Sequence, residues 1–167
     1  YNAKQKRSDR KIDDYLTKIK NSGNNEKQFY ETVVQIGKRD DTGVLDENGN
    51  LSEAAKVARD ILDEYARTFQ ERNPNLILFN AVLHMDEATP HMHLVFCPIN
   101  KDGKLSAKSI LGNQKSLSEW QTKFYECMHE RWNELERGKS AQEPKRKHIP
   151  TWLFKMADNL DYLYNQL

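Results

Sequence analysis

The stretch that decides the fold is His84-Met-Asp-Glu-Ala-Thr-Pro-His-Met-His-Leu-Val-Phe96. It holds three of the five histidines of the chain, together with two acids and one proline. Residues 76–84 before its loop and residues 91–99 after it are rich in apolar and β-branched side chains, which predicts two strands. Asp86 to Pro90 connect them, so we expect an antiparallel hairpin with a loop longer than the minimum.

Side-chain alternation divides this stretch by face. Because successive residues of a strand point to opposite sides of a sheet, His91 and His93 share one side, roughly 6–7 Å apart at Cα. The other side carries the apolar set Met92, Leu94 and Phe96. The hairpin brings His84 beside the pair. Three neutral imidazoles with open positions for a substrate are typical of a catalytic metal site, and the alternative is a chance cluster of surface histidines.

Periodic segments surround the hairpin. The predicted elements are a helix over 8–20, a strand over 29–36, helices over 52–72 and from Ser116 or Ser118 to Glu136, and a last helix from Pro150. Lys104 to Ser109 is predicted as a short strand or an ordered loop. Because strands and helices do not alternate strictly, the expected fold is α+β, with an antiparallel sheet built on the central hairpin and helices packed on one face. We expect a single domain over 1–167, with a basic linker and helix over 139–167.

Composition limits the class of protein. The chain has 167 residues, of which 31% are charged, and a mean hydropathy of −0.91. No run is long and apolar enough to span a bilayer and no signal-peptide pattern opens the sequence, so we expect no membrane partner. Cys97 and Cys127 fit no metal-binding spacing, which favours two reduced thiols in a cytoplasmic protein.

The net charge of +1 hides a strong segregation of charge. Residues 1–20, 101–115 and 137–148 are basic, whereas residues 40–71 are acidic. Three basic segments that converge in space could hold a polyanion, and the alternative is a set of solvated faces. The candidate DNA-contacting residues are Lys6, Arg7, Arg10, Lys11, Lys104, Lys108, Arg137, Lys145, Arg146 and Lys147.

The ten residues from His84 to His93, HMDEATPHMH, closely resemble the metal-binding motif of the MobV, or Mob/Pre, relaxases, which belong to the HUH endonucleases. Residues 102–108 (DGKLSAK) and 134–139 (ELERGK) look like two further segments of that family, and residues 6–11 (KRSDRK) look like its basic helix. The resemblance is good from about Leu76 to Lys155 and looser in the first seventy residues.

The resemblance implies a chemistry for these residues. His84, His91 and His93 would bind Mg²⁺ or Mn²⁺, and Glu87 would lie at the active site and orient a ligand or move a proton. The ion would polarise a scissile phosphate, so that one DNA strand is nicked and rejoined at a transfer origin through a covalent protein–DNA link. The implied partners are the single strand and hairpin of that origin and other relaxosome or conjugation proteins.

The chain departs from the family pattern in its nucleophile. The family places a histidine or tyrosine nucleophile in an N-terminal segment, and no histidine precedes His84 here. We therefore expect this sequence to begin after that segment and to bind metal and DNA without nicking. Two alternatives remain: a rolling-circle replication initiator with Tyr125 as nucleophile, although Tyr125 fits a packed core tyrosine better, and a DNA-binding module without catalysis.

Overall fold

The computed structural model describes residues 1–23 and 26–138, together with positions 156, 159, 160 and 164. The chain divides into two units, Tyr1–Arg137 and Gly138–Leu167. Every element named below belongs to the first unit, and the four described positions of the second are helical. The predicted basic linker lies outside the described residues, as does most of the last predicted helix.

Helices precede, separate and follow three strands within the first unit. In chain order the elements are α1 (Tyr15–Lys20), β1 (Tyr30–Gln35), α2 (Arg39–Thr42), α3 (Glu53–Arg67), α4 (Phe69–Arg72), β2 (Leu76–His84), β3 (His91–Pro98), α5 (Ala107–Leu111) and α6 (Gln114–His129). Two 3-10 turns, Asn2–Lys4 and Ser8–Arg10, come before α1. None of the described helices is both long and apolar enough to cross a bilayer.

The strand that carries two of the histidines lies at the centre of the sheet. β3 pairs antiparallel with β1 on one side and with β2 on the other. On one face of β3 the apolar side chains are almost completely buried: Met92, Leu94 and Phe96. Both the antiparallel hairpin and the α+β fold class are therefore confirmed.

The core lies between that face of the sheet and the helices α3 and α6. The largest side chains within it that are fully buried are Phe69, Phe96, Leu62 and Leu94. Phe69 stacks on Phe96 with 6.0 Å between ring centroids, and Trp120 of α6 contacts both rings edge-on. Burying each such side chain stabilises the fold by about 1.5–3 kcal/mol. The helices therefore occupy the face opposite to His91 and His93.

β2 changes face partway along its length. Leu78 pairs with Phe96 on the core side, but a β-bulge follows and leaves Phe79 without a partner in the ladder. Because the extra residue reverses the alternation, the even-numbered residues after it point away from the core. His84 then pairs directly with His91.

Three of the predicted helices differ from the observed ones. The helix predicted over 52–72 begins as expected, because Ser52 caps it by accepting a bond from the Ala55 N–H at 3.0 Å. It breaks at Thr68, whose hydroxyl donates to the Glu64 carbonyl, a back-bond that disturbs a helix.

Near the two ends of the first unit, the observed helices are bounded differently from the predicted ones, and each begins directly after a residue whose side chain caps it. The helix predicted from Ser8 begins only at Tyr15, where the Asp14 carboxylate accepts bonds from the Leu16 and Thr17 N–H groups. The helix predicted to reach Glu136 begins at Gln114 behind its cap Asn113 and ends at His129. The segment predicted as a short strand or ordered loop makes a single bridge, Leu105 to Ile99, and then forms α5.

Candidate metal centre

Three imidazole rings converge at one end of the sheet, on the face opposite to α3 and α6. His84 ends β2, and His91 and His93 open β3. The ring centroids form a nearly equilateral triangle, with 5.0 Å between His84 and His91, 5.1 Å between His84 and His93, and 5.3 Å between His91 and His93. The sequence-based prediction that the hairpin brings these three residues together is confirmed.

Each ring has an acceptor beside its Nδ1 atom. The Nδ1 of His91 lies 2.9 Å from the Thr89 carbonyl, and the Nδ1 of His93 lies 2.5 Å from the Glu31 carboxylate. For His84 the neighbour is the Asp86 carboxylate, at 3.4 Å. An acceptor at Nδ1 favours the tautomer that carries its proton there, so that Nε2 is left as the free lone pair.

Glu87 adds an oxygen to these nitrogens. Its carboxylate lies 4.0 Å from the Nε2 of His91. One ligand atom each from His84, Glu87 and His91 lies within 4.8 Å of the others. His91 is almost completely buried, with a side chain 10% exposed, whereas that of Glu87 is 65% exposed. The site therefore has a buried imidazole at its base and an acid at its mouth.

This donor set fits a divalent cation. Neutral imidazole nitrogens suit transition metals, and carboxylate oxygen suits Mn²⁺ or Mg²⁺. Among the described residues, the ligand atoms that lie close enough together to hold an ion come from His84, Glu87 and His91. His93 is not in that group, although its ring centroid lies 5.1 Å from that of His84 and 5.3 Å from that of His91. Two imidazole nitrogens and one carboxylate oxygen on an accessible surface leave coordination positions open, which distinguishes a catalytic site from a closed structural one.

Tyr125, the candidate nucleophile of the replication-initiator alternative, and the N-terminal tyrosines Tyr1 and Tyr15 lie away from the three histidines. Tyr125 is on α6, beyond the sheet from the histidines, where its ring lies 4.8 Å from that of His129. The Tyr15 hydroxyl accepts a bond from the Leu105 N–H, and the ring of Tyr1 lies 5.0 Å from the ammonium of Lys104. Both contacts lie beyond the end of β3, and by the strand rise roughly 23 Å separate His91 from Pro98.

Two of the three basic segments meet in the structure. Lys4 donates to the Lys101 carbonyl at 3.1 Å, and the ammonium of Lys104 lies 5.0 Å above the ring of Tyr1. Among the candidate DNA contacts, Arg7 pairs with Asp9 at 2.7 Å, and Lys108 is exposed on α5. Three further candidates are exposed as well: Lys6, Arg10 and Lys11.

The other candidate DNA contacts come from the third basic segment. Arg137 is bonded within the protein, since its guanidinium donates to the Thr122 hydroxyl at 3.0 Å and to the Ser118 carbonyl at 3.4 Å. These bonds hold the segment after α6 against that helix. Lys145, Arg146 and Lys147 lie outside the described residues, so that DNA contact by these four residues stays a prediction.

One contact of the site was not anticipated from the sequence. Glu31 comes from β1, where it pairs with Val95, and reaches His93 diagonally across the strands. The strand over 29–36 was predicted, and alternation places Glu31 on one of its faces. Its register against β3 was not predictable from the pattern, because 62 residues separate the two partners.

Cys97 also lies on this face of β3, since it alternates with the buried Phe96. Its thiol donates to the Gln28 carbonyl at 3.3 Å. Partial burial raises the pKa of the Cys97 thiol above its ordinary value. The thiol is therefore protonated at neutral pH, which makes it a poor nucleophile.

Comparison with known protein families gives a match over most of the chain. The family model described as plasmid recombination enzyme (Mob_Pre) matches residues 1–156. Plasmid recombination enzyme type 3 of Mammaliicoccus lentus is 47% identical over 87 residues, which is 51% of this chain and 21% of that protein. Plasmid recombination enzyme type 2 of Staphylococcus aureus strain Mu50 is 38% identical over 109 residues, 63% of this chain and 25% of that protein.

Solved structures give a matching fold. The MobM relaxase domain bound to 26-nucleotide pMV158 oriT DNA is 28% identical, with a TM-score of 0.55 over 76% of this chain and 66% of that one. A manganese-bound crystal structure of the same domain with 22-nucleotide oriT DNA gives a TM-score of 0.56 at 28% identity, over 76% of this chain and 59% of that one. The chain spans between a fifth and a quarter of the length of the curated relatives described above.

Proposed function

This chain belongs to the plasmid recombination enzyme (Mob_Pre) family, and from that premise we propose that it carries the metal-binding part of a relaxase. The relaxase would nick and rejoin one DNA strand at the transfer origin of a plasmid or integrative element. The observation that carries the proposal is the triangle of imidazole rings 5.0–5.3 Å apart, with an acceptor beside each Nδ1.

We propose that His84, His91 and His93 bind a divalent cation, Mn²⁺ or Mg²⁺, through Nε2. The manganese in the structure of the similar MobM relaxase domain supports this choice. When bound, such an ion supplies Lewis-acid polarisation of a phosphodiester oxygen. The neutral imidazoles would leave the charge of the ion undiminished, whereas carboxylate ligands would cancel part of it.

Glu87 is proposed as the acid of the site. Its carboxylate lies 4.0 Å from the Nε2 of His91 and its side chain is largely exposed, so it can reach a substrate without leaving the histidines. From there it can hold a ligand in place or accept a proton from an attacking group.

The proposed reaction is a transesterification. The attacking side chain forms one bond to phosphorus while the bond from phosphorus to the leaving 3′ oxygen breaks, so that the number of phosphodiester-type bonds is unchanged. The reverse reaction rejoins the strand without an outside energy source. Tyr1, Tyr15 and Tyr125 do not lie beside the imidazoles, and the nucleophile is not assigned to them.

DNA is the proposed partner, as a single strand with a hairpin at the origin. The DNA-bound structures of the similar MobM domain support this proposal. We propose that the converging basic segments around Lys4 and Lys104 contact phosphates, with relaxosome proteins as further partners. No feature of the described residues favours the replication-initiator alternative, because the sheet separates Tyr125 from the histidines.

The test uses the full-length protein with supercoiled DNA that carries its origin. We expect Mn²⁺-dependent relaxation that leaves a protein-linked 5′ end, and we expect His91→Ala and His93→Ala to abolish it, because each removes one metal ligand. His129→Ala is the matched control, since His129 lies on α6 behind the sheet. Nicking that survives both ligand substitutions would contradict the metal assignment. Binding of origin DNA without nicking would favour the module without catalysis.

A further inference from the structure

The imidazole of His93 is held by a side chain from a distant part of the chain. Its Nδ1 lies 2.5 Å from the Glu31 carboxylate, close enough for the ring N–H to donate a charge-assisted hydrogen bond to that carboxylate. The other two rings have their Nδ1 neighbours within their own connecting loop, at Thr89 and Asp86. Glu31 therefore adds a residue of β1 to a site whose other residues all come from the β2–β3 hairpin.

Strand register explains why Glu31 can make this contact. Val33 pairs with His93, and Glu31 pairs with Val95 two residues further along. Diagonal neighbours on one face of an antiparallel pair lie within reach of a long side chain. The backbone of both partners is fixed in the ladder, so only the side chains of Glu31 and His93 have to be ordered to form the bond.

We propose that Glu31 is a positioning residue for the metal centre: it fixes the tautomer and the ring orientation of His93. This inference rests on the proposed function, in which His93 is a metal ligand. With its Nδ1 proton donated to the carboxylate, His93 keeps a lone pair on Nε2 and cannot turn that atom away without losing the bond.

His93 needs this support more than His91 does. The side chain of His93 is 32% exposed, whereas that of His91 is 10% exposed and enclosed by its surroundings. An exposed imidazole without a partner samples both tautomers and several ring rotations in water. Glu31 removes that freedom before the ion arrives, and loss of such a partner typically costs about 10–100-fold in metal affinity.

The experiment measures Mn²⁺ affinity of the full-length protein without DNA, from the electron paramagnetic resonance signal of free Mn²⁺. Glu31→Ala removes both the acceptor and the charge, and we expect it to weaken binding by about 10–100-fold. Glu31→Gln keeps an acceptor oxygen without the charge and should fall between Glu31→Ala and the wild type. Glu126→Ala is the matched control, because it removes an exposed carboxylate on α6, behind the sheet.

A second readout separates positioning from a general effect on folding. Long-range ¹H–¹⁵N correlation spectra of the metal-free protein should show the Nδ1–H tautomer at His93, and a mixture of tautomers in Glu31→Ala. Wild-type affinity in Glu31→Ala would overturn the role of Glu31 while leaving the metal centre intact. Failure of the wild-type protein to bind Mn²⁺ would overturn the metal centre itself, and the role of Glu31 with it.

Discussion

An imidazole binds a metal only through an unprotonated nitrogen. The hydrogen-bond partner of the other nitrogen holds the proton there, and so decides whether the metal-binding nitrogen is free. Here the three partners differ in kind: a backbone carbonyl at His91, a strand carboxylate at His93, and a loop carboxylate 3.4 Å from His84. The first is a backbone oxygen, so replacing the Thr89 side chain does not remove it as long as the loop keeps its course. The other two depend on Glu31 and Asp86, and single substitutions can remove them.

The Cys97 thiol gives a prediction at the scale of one residue. Because partial burial raises its pKa, the reactive thiolate appears only at a pH higher than for an unfolded thiol. We expect iodoacetamide to alkylate Cys97 in the folded protein more slowly than in urea at the same pH, and the difference to narrow as the pH rises. Mass spectrometry of the two cysteine peptides measures the rate at Cys97 separately from Cys127. Equal rates at Cys97 in folded and unfolded protein at neutral pH would contradict this.

The residues of the candidate site were predictable to different degrees. His84, Glu87, His91 and His93 lie within ten residues, so local alternation and one hairpin are enough to bring them together. Glu31 was not predictable, because its contact depends on how β1 is aligned with β3, and a shift of one residue would turn it to the other face. Arg137 was predicted as a DNA contact from its charge, yet its guanidinium is bonded to α6, a use that composition cannot reveal.

At the scale of elements, the β-bulge in β2 aligns the site. In a regular ladder continuing from the Leu78–Phe96 pair, Leu83 would lie opposite His91, and His84 would lie beyond the strand pair. Because Phe79 is left unpaired, the register shifts by one residue, and His84 pairs with His91 and Val82 with His93. The sequence of the strand shows the position of the bulge, since the apolar residues that face the core are even-numbered up to Leu78 and odd-numbered by Leu83.

The bulge leads to a prediction about deletions. Deleting Phe79 alone should leave a regular ladder with the same pairs on both sides, so we expect the protein to keep its affinity for Mn²⁺. The side chain of Phe79 is 57% exposed, so little core packing is lost. Deleting Phe79 and Asn80 together should shift the register by one residue, so that residues 81–84 point to the opposite face and His84 leaves the site. Mn²⁺ titrations of both variants test this, and equal loss in the two would mean that the bulge residue itself is required.

The helix boundaries show what local patterns leave out. Apolar periodicity placed α3 and α6 correctly in the chain, because their buried faces pack on the sheet. It extended both too far, since periodicity does not register side-chain bonds such as that from Thr68 to the Glu64 carbonyl. The start of α1 was misplaced for a similar reason: the Asp14 carboxylate caps this helix, and its bonds to Thr17 and Leu16 lower the pKa of Asp14.

At the scale of the whole molecule, the candidate metal centre and the aromatic core lie on opposite faces of the sheet in the first unit. The face that packs on α3 and α6 holds the aromatic core, and the other face presents the histidines. Charge is divided as well: the acidic segment 40–71 includes α3, whereas the basic segments 1–20 and 101–115 meet at the contact of Lys4 with the Lys101 carbonyl. A net charge of +1 therefore conceals segments of opposite charge, and two of the basic ones meet in the structure.

That division of charge gives the last prediction. Lys108 is exposed on α5 within the basic region, and we expect Lys108→Ala to weaken the binding of single-stranded DNA by a similar factor whatever its sequence. Each lost phosphate contact releases about one counterion fewer, so the slope of log K against log salt should fall by about one. Fluorescence anisotropy across a series of salt concentrations measures both quantities.

Lys56→Ala is the matched control: Lys56 is also on a helix surface, but it pairs with Glu53 at 2.6 Å in the acidic segment. If Lys108→Ala leaves the salt slope unchanged, or if Lys56→Ala lowers the slope equally, DNA does not bind across the basic segments 1–20 and 101–115.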